Sequence, residues 1–495
     1  MSHRKDSAAA KDLPLKIEGH KKPVTRRDFL SRGMISGTGW VITPSLLGSF
    51  VSQRAFGLEC GAAKPGVSSS LPVLIFDLSG GANITGGNVM VGKQGGQKDY
   101  LANYSSLGVP ASMAPQNGNI NEQLGLVFHS DSGFLRGILE TSSVETRAKI
   151  EGALFCTSSN DDTGNNPHNP MYWLAKAGAR GELTNLVGTE SSISGGRSMP
   201  PAASIDPALR PVRVGDPSAA LNLVNPGKLA QLLSGPDVEK ILRATHRMSA
   251  SRLARFQAQD MPTQIKELVE CGYLNSIDLL TKNSPQSVDP RQDPIVSELF
   301  ALNNGDEGKI GSLAKLLLDG YVGAATFEKG GYDYHDSTRS SGENRDRDAG
   351  RLMGKALELA ARKQRDLLIY VFTDGGVSSS GRIDDSADGR GKGVWSGDSG
   401  DRSGSFMLLY KAEGEGRPGL RVAGRRQVGY YADNTSSNNR QATKISSSVD
   451  NLAKAVVANY LALHGREGQL AQIVGDNPFA ANELEQYLIF NKMRS

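Results

Sequence analysis

Three continuous apolar runs punctuate a polar chain: residues 71–77 (LPVLIFD), 152–156 (GALFC) and 366–372 (DLLIYVF). None alternates between apolar and polar positions, which marks strands covered on both faces, as in a parallel sheet. Each runs into a polar or glycine-rich loop: Asp77 before Gly80-Gly81, the segment 157–169, and Thr373-Asp374-Gly375-Gly376. A shorter strand-like run occupies 322–327. Helical spacing falls between these runs, at 171–177, at 310–318 before Gly320, at 348–365, and at 450–464 with Asp450 as N-cap and Gly465 as C-cap. Strand and helix alternate, so the pattern predicts an α/β fold: a mostly parallel sheet with helices on both faces and a ligand site outside the carboxyl ends of its strands.

Two regions break this rhythm. Residues 222–300 contain helix-like stretches at 236–256 and 262–273 without a convincing strand, and are expected to form a helical insertion. Residues 378–405 are dominated by Gly, Ser, Asp and Arg around Trp395, and predict a long surface loop beside the site, either a lid or a disordered segment. The main domain is expected to span 58–475, with 476–495 as a C-terminal tail.

Ahead of that domain stands Thr25-Arg26-Arg27-Asp28-Phe29-Leu30, then a weakly apolar stretch over 34–51 and small residues at Ala55 and Gly57. Paired arginines before a short apolar segment are a twin-arginine export signal, a receptor-read address removed near residue 57. The expected location is therefore periplasmic or secreted. Residues 1–57 hold ten Lys/Arg and four Asp/Glu, so their removal takes the formal charge from +4 to −2. A near-neutral mature chain has no electrostatic footprint for nucleic acid, and no later run approaches the roughly 20 apolar residues of a membrane span. With three cysteines, Cys60, Cys156 and Cys271, at most one disulfide is possible.

Candidate chemistry concentrates at the predicted strand ends. Asp77 and Thr373-Asp374 end buried runs, where orphan backbone amides and a crevice converge, although either aspartate also suits a turn or cap. Gly330-Gly331-Tyr332-Asp333-Tyr334-His335 follows the 322–327 strand; a carboxylate two residues before an imidazole places both on one side of an extended segment, as half of a metal site or as a solvated polar turn. The segment 161–168 (DDTGNNPH) precedes a helix start, so Thr163 or His168 would stand at the positive end of a helix dipole, suited to an anion-facing nucleophile or to capping alone.

The order of these motifs resembles the twin-arginine-exported family of the alkaline-phosphatase and sulfatase-like superfamily. The resemblance runs over most of 71–475: the first strand into Gly80-Gly81-Ala82-Asn83, then Leu126-Val127-Phe128-His129, Pro167-His168-Asn169-Pro170, Gly330-Gly331-Tyr332-Asp333-Tyr334-His335, Thr373-Asp374 and Val428-Gly429-Tyr430-Tyr431. It implies a phosphate- or sulfate-ester hydrolase in which divalent ions activate a hydroxyl nucleophile. By that resemblance Asp77, Asp333, His335 and Asp374 look like metal ligands, and His168 like a further ligand or anion contact. The chain departs from the family at Pro167, where a serine is usual, at Asn83, where an aspartate is usual, and at 397–402, where a late histidine is missing. Thr163 or a neighbouring serine would then attack, and Asp398 or Asp401 would offer oxygen ligands, favouring calcium or magnesium over zinc. The alternative is a non-catalytic exported protein of the same fold that binds a protein partner or surface polymer instead of a small anionic ester.

Overall fold

The computed structural model describes residues 70–94, 96–159, 167–224, 285–303, 305–334, 337–399, 402–431, 443–480 and 482–493, with Lys240, Arg243, Ala244 and Arg247. The export signal, Cys60, Cys271, Thr163, His335, Asp401, all of 262–273 and most of 236–256 lie outside the described residues.

The strands are β1 (Val73–Leu78), β2 (Ile120–Leu124), β3 (Leu126–His129), β4 (Ile150–Thr157), β5 (Thr184–Gly188), β6 (Val212–Arg213), β7 (Val322–Glu328), β8 (Leu367–Thr373), β9 (Gly376–Asp384), β10 (Lys392–Ser399), β11 (Ser403–Tyr410) and β12 (Gln427–Val428). Eight of them form one sheet in the order β12-β4-β11-β8-β1-β7-β5-β6. All pair in parallel except β11, which runs antiparallel to β4 and β8. The architecture is thus a mostly parallel α/β sheet with helices on both faces, as the hydrophobic pattern predicts.

The period-2 geometry of a strand sorts each run onto two cores. Leu74 and Phe76 of β1, Leu154 of β4 and Val371 of β8 pack with α1 (Gly133–Thr141), α3 (Asp306–Leu318) and α4 (Ser340–Arg362). Val73, Ile75, Phe155 and Tyr370 pack on the other face with α2 (Met171–Ala177) and α5 (Val449–Leu463). Residues on both faces of β1 are fully buried, which is why its sequence shows no alternation. Truncating a side chain such as Phe76, fully enclosed on its face, would cost about 3–5 kcal/mol.

Four segments differ from expectation. Residues 378–405 are not a loop: β9 and β10 form an antiparallel hairpin with two register shifts, and the segment runs on into β11. Its polar composition reflects the solvent-facing stretch 380–383, while Val394 and Trp395 are buried. Helix α4 begins at Ser340, eight residues before the predicted 348, because its first turns bury Glu343 and Asp346 through polar partners that hydrophobic periodicity does not register. Helix α5 is capped by Ser448, whose side chain accepts from Asn451 N, rather than by Asp450. The expected tail over 476–495 also packs: Leu488, Ile489 and Phe490 are fully buried in the same core as α5. Among the described residues, no helix is long and apolar enough to cross a membrane.

Candidate functional site at the sheet rim

Strands β1 and β8 lie side by side in parallel, with Leu78 opposite Thr373, so Asp77 and Asp374 come to the same edge of the sheet. The chain leaves β1 through Gly80 (φ 109) and Gly81 (φ 96), a left-handed pair that side chains rarely adopt. Both amides point at Asp374: its Oδ1 accepts from Gly80 N at 2.7 Å and Gly81 N at 3.1 Å. Thr373 fastens the same turn, accepting from Ala82 N at 2.7 Å and donating to Leu78 O at 2.9 Å.

Asp77 is fully buried and gripped by the segment that follows β5: Oδ2 accepts from Arg197 N at 2.8 Å and Ser198 N at 2.9 Å, and Oδ1 from Ser198 Oγ at 2.7 Å. Burial pushes its carboxyl up to about 6 despite those bonds, with Glu328 adding a smaller upward push. Asp374 rises further, to about 8, mainly through burial; the Gly80 and Gly81 amides oppose this and the Asp77 charge reinforces it. Two acids at adjacent strand ends therefore compete for one stretch of charge, and a shared proton or a cation relieves them.

Asp333 approaches from the β7 side. A Cβ placed on Gly80 would stand 2.8 Å from Asp333 N and 3.3 Å from Asp333 Cβ, so only glycine lets the two loops meet. The Asp333 side chain is exposed. His168 is enclosed beneath: its ring lies parallel to Phe372 with centroids 5.7 Å apart, its Nε2 is 3.5 Å from Ser159 Oγ, and burial lowers it to about 3, which keeps the imidazole neutral. Nδ1 of His168 has no hydrogen-bond partner among the described residues. Ser159 in turn donates to Asp374 O at 2.8 Å.

Four of the six residues singled out in the sequence, Asp77, Asp333, Asp374 and His168, therefore border one rim, while Thr163 and His335 lie outside the described residues. Ser198 and the Ser79–Glu328 pair, joined at 2.8 Å with Arg197 Nε 3.3 Å from the same Glu328 oxygen, belong to the rim and were not anticipated, while Ser159 is a serine neighbouring Thr163 that the sequence offered without singling it out. A serine pair directly after a buried strand was the signal for Ser159. Nothing local to 192–198 announces contact with Asp77, because that contact is made across the sheet.

Among the described residues no group of three or more His, Cys, Asp or Glu is placed to hold an ion. Asp77 already spends both oxygens on the 197–198 segment, and Asp374 Oδ1 takes two amides, so neither carboxyl is offered whole.

Fold and rim define a mixed α/β protein with buried acids and hydroxyls gathered at the carboxyl ends of its parallel strands. No family model, curated protein or solved structure matches this chain.

Proposed function

We infer that the protein is an exported hydrolase of small phosphate or sulfate esters, acting at this rim in the manner of the alkaline-phosphatase and sulfatase-like superfamily that its motifs resemble. One observation carries the reading: the Ser159 hydroxyl lies between an imidazole, 3.5 Å from His168 Nε2, and the main-chain carbonyl of Asp374, which it donates to at 2.8 Å, at a sheet edge that also holds the buried acids Asp374 and Asp77. Ser159 is the attacking hydroxyl among the described residues, with Thr163 as the alternative read from the sequence. Its Oγ bonds to phosphorus or sulfur, the ester oxygen departs and ends with the hydroxyl proton, and water then cleaves the seryl ester to release the anion. Neutral His168 orients Oγ. The Gly80 and Gly81 amides hold Asp374 in place, and Arg197, with its side chain 70% exposed, is the cation available to an incoming anion.

Asp77, Asp374 and Asp333, with His335, are the residues that would hold calcium, magnesium or zinc, and such an ion would neutralise charge on the transferring group. The hydrogen bonds that already occupy both oxygens of Asp77 favour a second reading, a non-catalytic periplasmic binding or scaffold protein on the same fold, whose partner is a protein or surface polymer. Neither reading calls for nucleic acid.

Protein purified from the periplasm, assayed for metal content and for aryl phosphate and aryl sulfate turnover with and without chelator, separates the two. Turnover that disappears in Ser159→Ala or Thr163→Ala, and in Asp333→Ala, supports the hydrolase. Absent turnover and absent metal in a folded protein overturn it in favour of the binding protein.

A further inference from the structure

Behind the rim, five buried polar atoms without a hydrogen-bond partner among the described residues gather in one place: Asn83 Nδ2, Tyr334 OH, Arg339 Nη2, Asp346 Oδ1 and Trp395 Nε1. None of the five residues is more than 4% exposed. Their contiguity follows from shared neighbours. Asn88 Nδ2 donates both to Asn83 O at 2.6 Å and to Asp346 Oδ2 at 2.7 Å, which ties those two together. The Arg339 guanidinium lies 4.0 Å over the Trp395 ring, and the same indole stacks with Tyr334 at 6.2 Å. A Cβ on Gly87 would touch Asn83 Nδ2 and stand 3.0 Å from Arg339 Nη2, and one on Gly342 would stand 3.0 Å from Trp395 Nε1 and 3.1 Å from the Tyr334 ring. Glycine at both positions leaves the donors with no side chain between them and the backbone.

The remaining capacity of these groups is already committed. Arg339 gives Nε to Glu343 at 2.9 Å and Nη1 to the carbonyls of Gly108 and Gly393, so a single amino group is left over. Buried donors left unmet are costly, and three unmet N–H donors on residues linked through Gly87, Gly342 and the Arg339–Trp395 contact match a ligand rich in acceptors. Charge points the same way. Lys392 and Arg339 share Glu343, while Asp131 is shared among Arg136, Arg390 and Lys392, so four cations face two carboxylates. Asp346 does not redress this, because burial pushes its carboxyl up to about 8. His129, lowered to about 4 by burial and then by Lys392, is neutral.

We propose that this internal cluster binds a small oxoanion, a carboxylate, phosphate or sulfate, whose oxygens accept from Asn83 Nδ2, Arg339 Nη2 and Trp395 Nε1. Tyr334 OH and the protonated Asp346 offer two further donors. Because Tyr334 follows Asp333 directly, occupancy steadies the loop that carries Asp333 to the rim. The site uses residues apart from the hydrolytic ones and stands or falls independently of the ester reading.

Isothermal titration of the mature protein with sodium phosphate, sulfate and acetate, each at constant ionic strength in chloride, tests it. At least one of the three is expected to bind one per chain, with Asn83→Asp and Trp395→Phe each weakening Kd at least tenfold. Absence of binding by all three overturns the proposal, leaving water as the only occupant. Binding that survives both Asn83→Asp and Trp395→Phe places the anion elsewhere and overturns it equally. Should one cluster variant fail to fold, the other carries the test.

Discussion

Replacing Asp374 by asparagine isolates the electrostatic cost built into the rim. Asparagine keeps an oxygen for the Gly80 and Gly81 amides at nearly the same shape, and removes only the ionisable proton and the charge. Burial raises Asp374 from 3.8 to about 8, so the folded state holds the proton more tightly than the unfolded chain does. The associated stability is fully present below the unfolded value and is lost as pH rises through about 8. Four units at about 1.4 kcal/mol each set a ceiling near 6 kcal/mol; relaxation around a carboxyl beside a second acid brings the expected difference to about 2–4 kcal/mol. Denaturant unfolding followed by tryptophan fluorescence, run in chelator from about pH 4 to pH 9, reads this directly. Asp374→Asn should match the parent within about 1 kcal/mol at the acid end and exceed it by about 2–4 kcal/mol at the alkaline end. Parallel stability curves for the two proteins would refute the assignment of a buried, reluctantly ionised acid. Added calcium, magnesium or zinc that restores the parent at alkaline pH, with no effect on the variant, would identify the pair as a cation holder.

The remaining predictions concern the neighbours of this pair. Gly80→Ala forces a Cβ into a backbone at φ 109 and within 2.8 Å of Asp333 N, and should cost about 2–4 kcal/mol in an unfolding titration; an unchanged midpoint would show that the two loops are free to separate. Glu343→Gln leaves Arg136, Arg339 and Lys392 without their shared carboxylate and should cost about 3–5 kcal/mol at neutral pH. Those cations hold Glu343 below its ordinary range, so its stabilisation is present above that range and lost as pH falls; the deficit of the variant should shrink in acid, and a pH-independent deficit would contradict the pairing. Ser159→Ala should lower ester turnover by about 10³-fold while changing stability by less than about 1 kcal/mol, and undiminished turnover would transfer the nucleophile's role to another hydroxyl. Asp333→Ala, altering an exposed side chain, should leave unfolding within about 0.5 kcal/mol of the parent and lower bound metal; unaltered metal content would remove Asp333 from the ligand set.

Particular elements show where the sequence was legible. The runs at 71–77, 152–156, 322–327 and 366–372 became β1, β4, β7 and β8 within a few residues, because a strand enclosed on both faces must be continuously apolar. Strands β5, β6, β11 and β12 of the main sheet were missed: β5 mixes Thr184 and Asn185 into five residues, and β6 and β12 have only two each. The β9–β10 hairpin was hidden by its serines and glycines, since what anchors it is Trp395 against Arg339 and Lys392 against Glu343, partners far away in the chain. The acids Asp77 and Asp374 were found as strand-end residues, whereas Ser198 and Ser159 required the folded chain to reveal what they touch.

Composition and hydrophobic order alone determined the layered α/β plan, since burying both faces of a strand leaves no freedom in which residues it contains. They also determined that acids stand at the strand ends. Only the tertiary structure decided that the Gly80-Gly81 turn spends its amides on Asp374, that the 197–198 segment closes over Asp77, and that Asn83, Arg339, Asp346 and Trp395 meet behind them. Hydrogen bonds and buried charges are satisfied by partners hundreds of positions apart, and no local pattern encodes which partner the fold will bring.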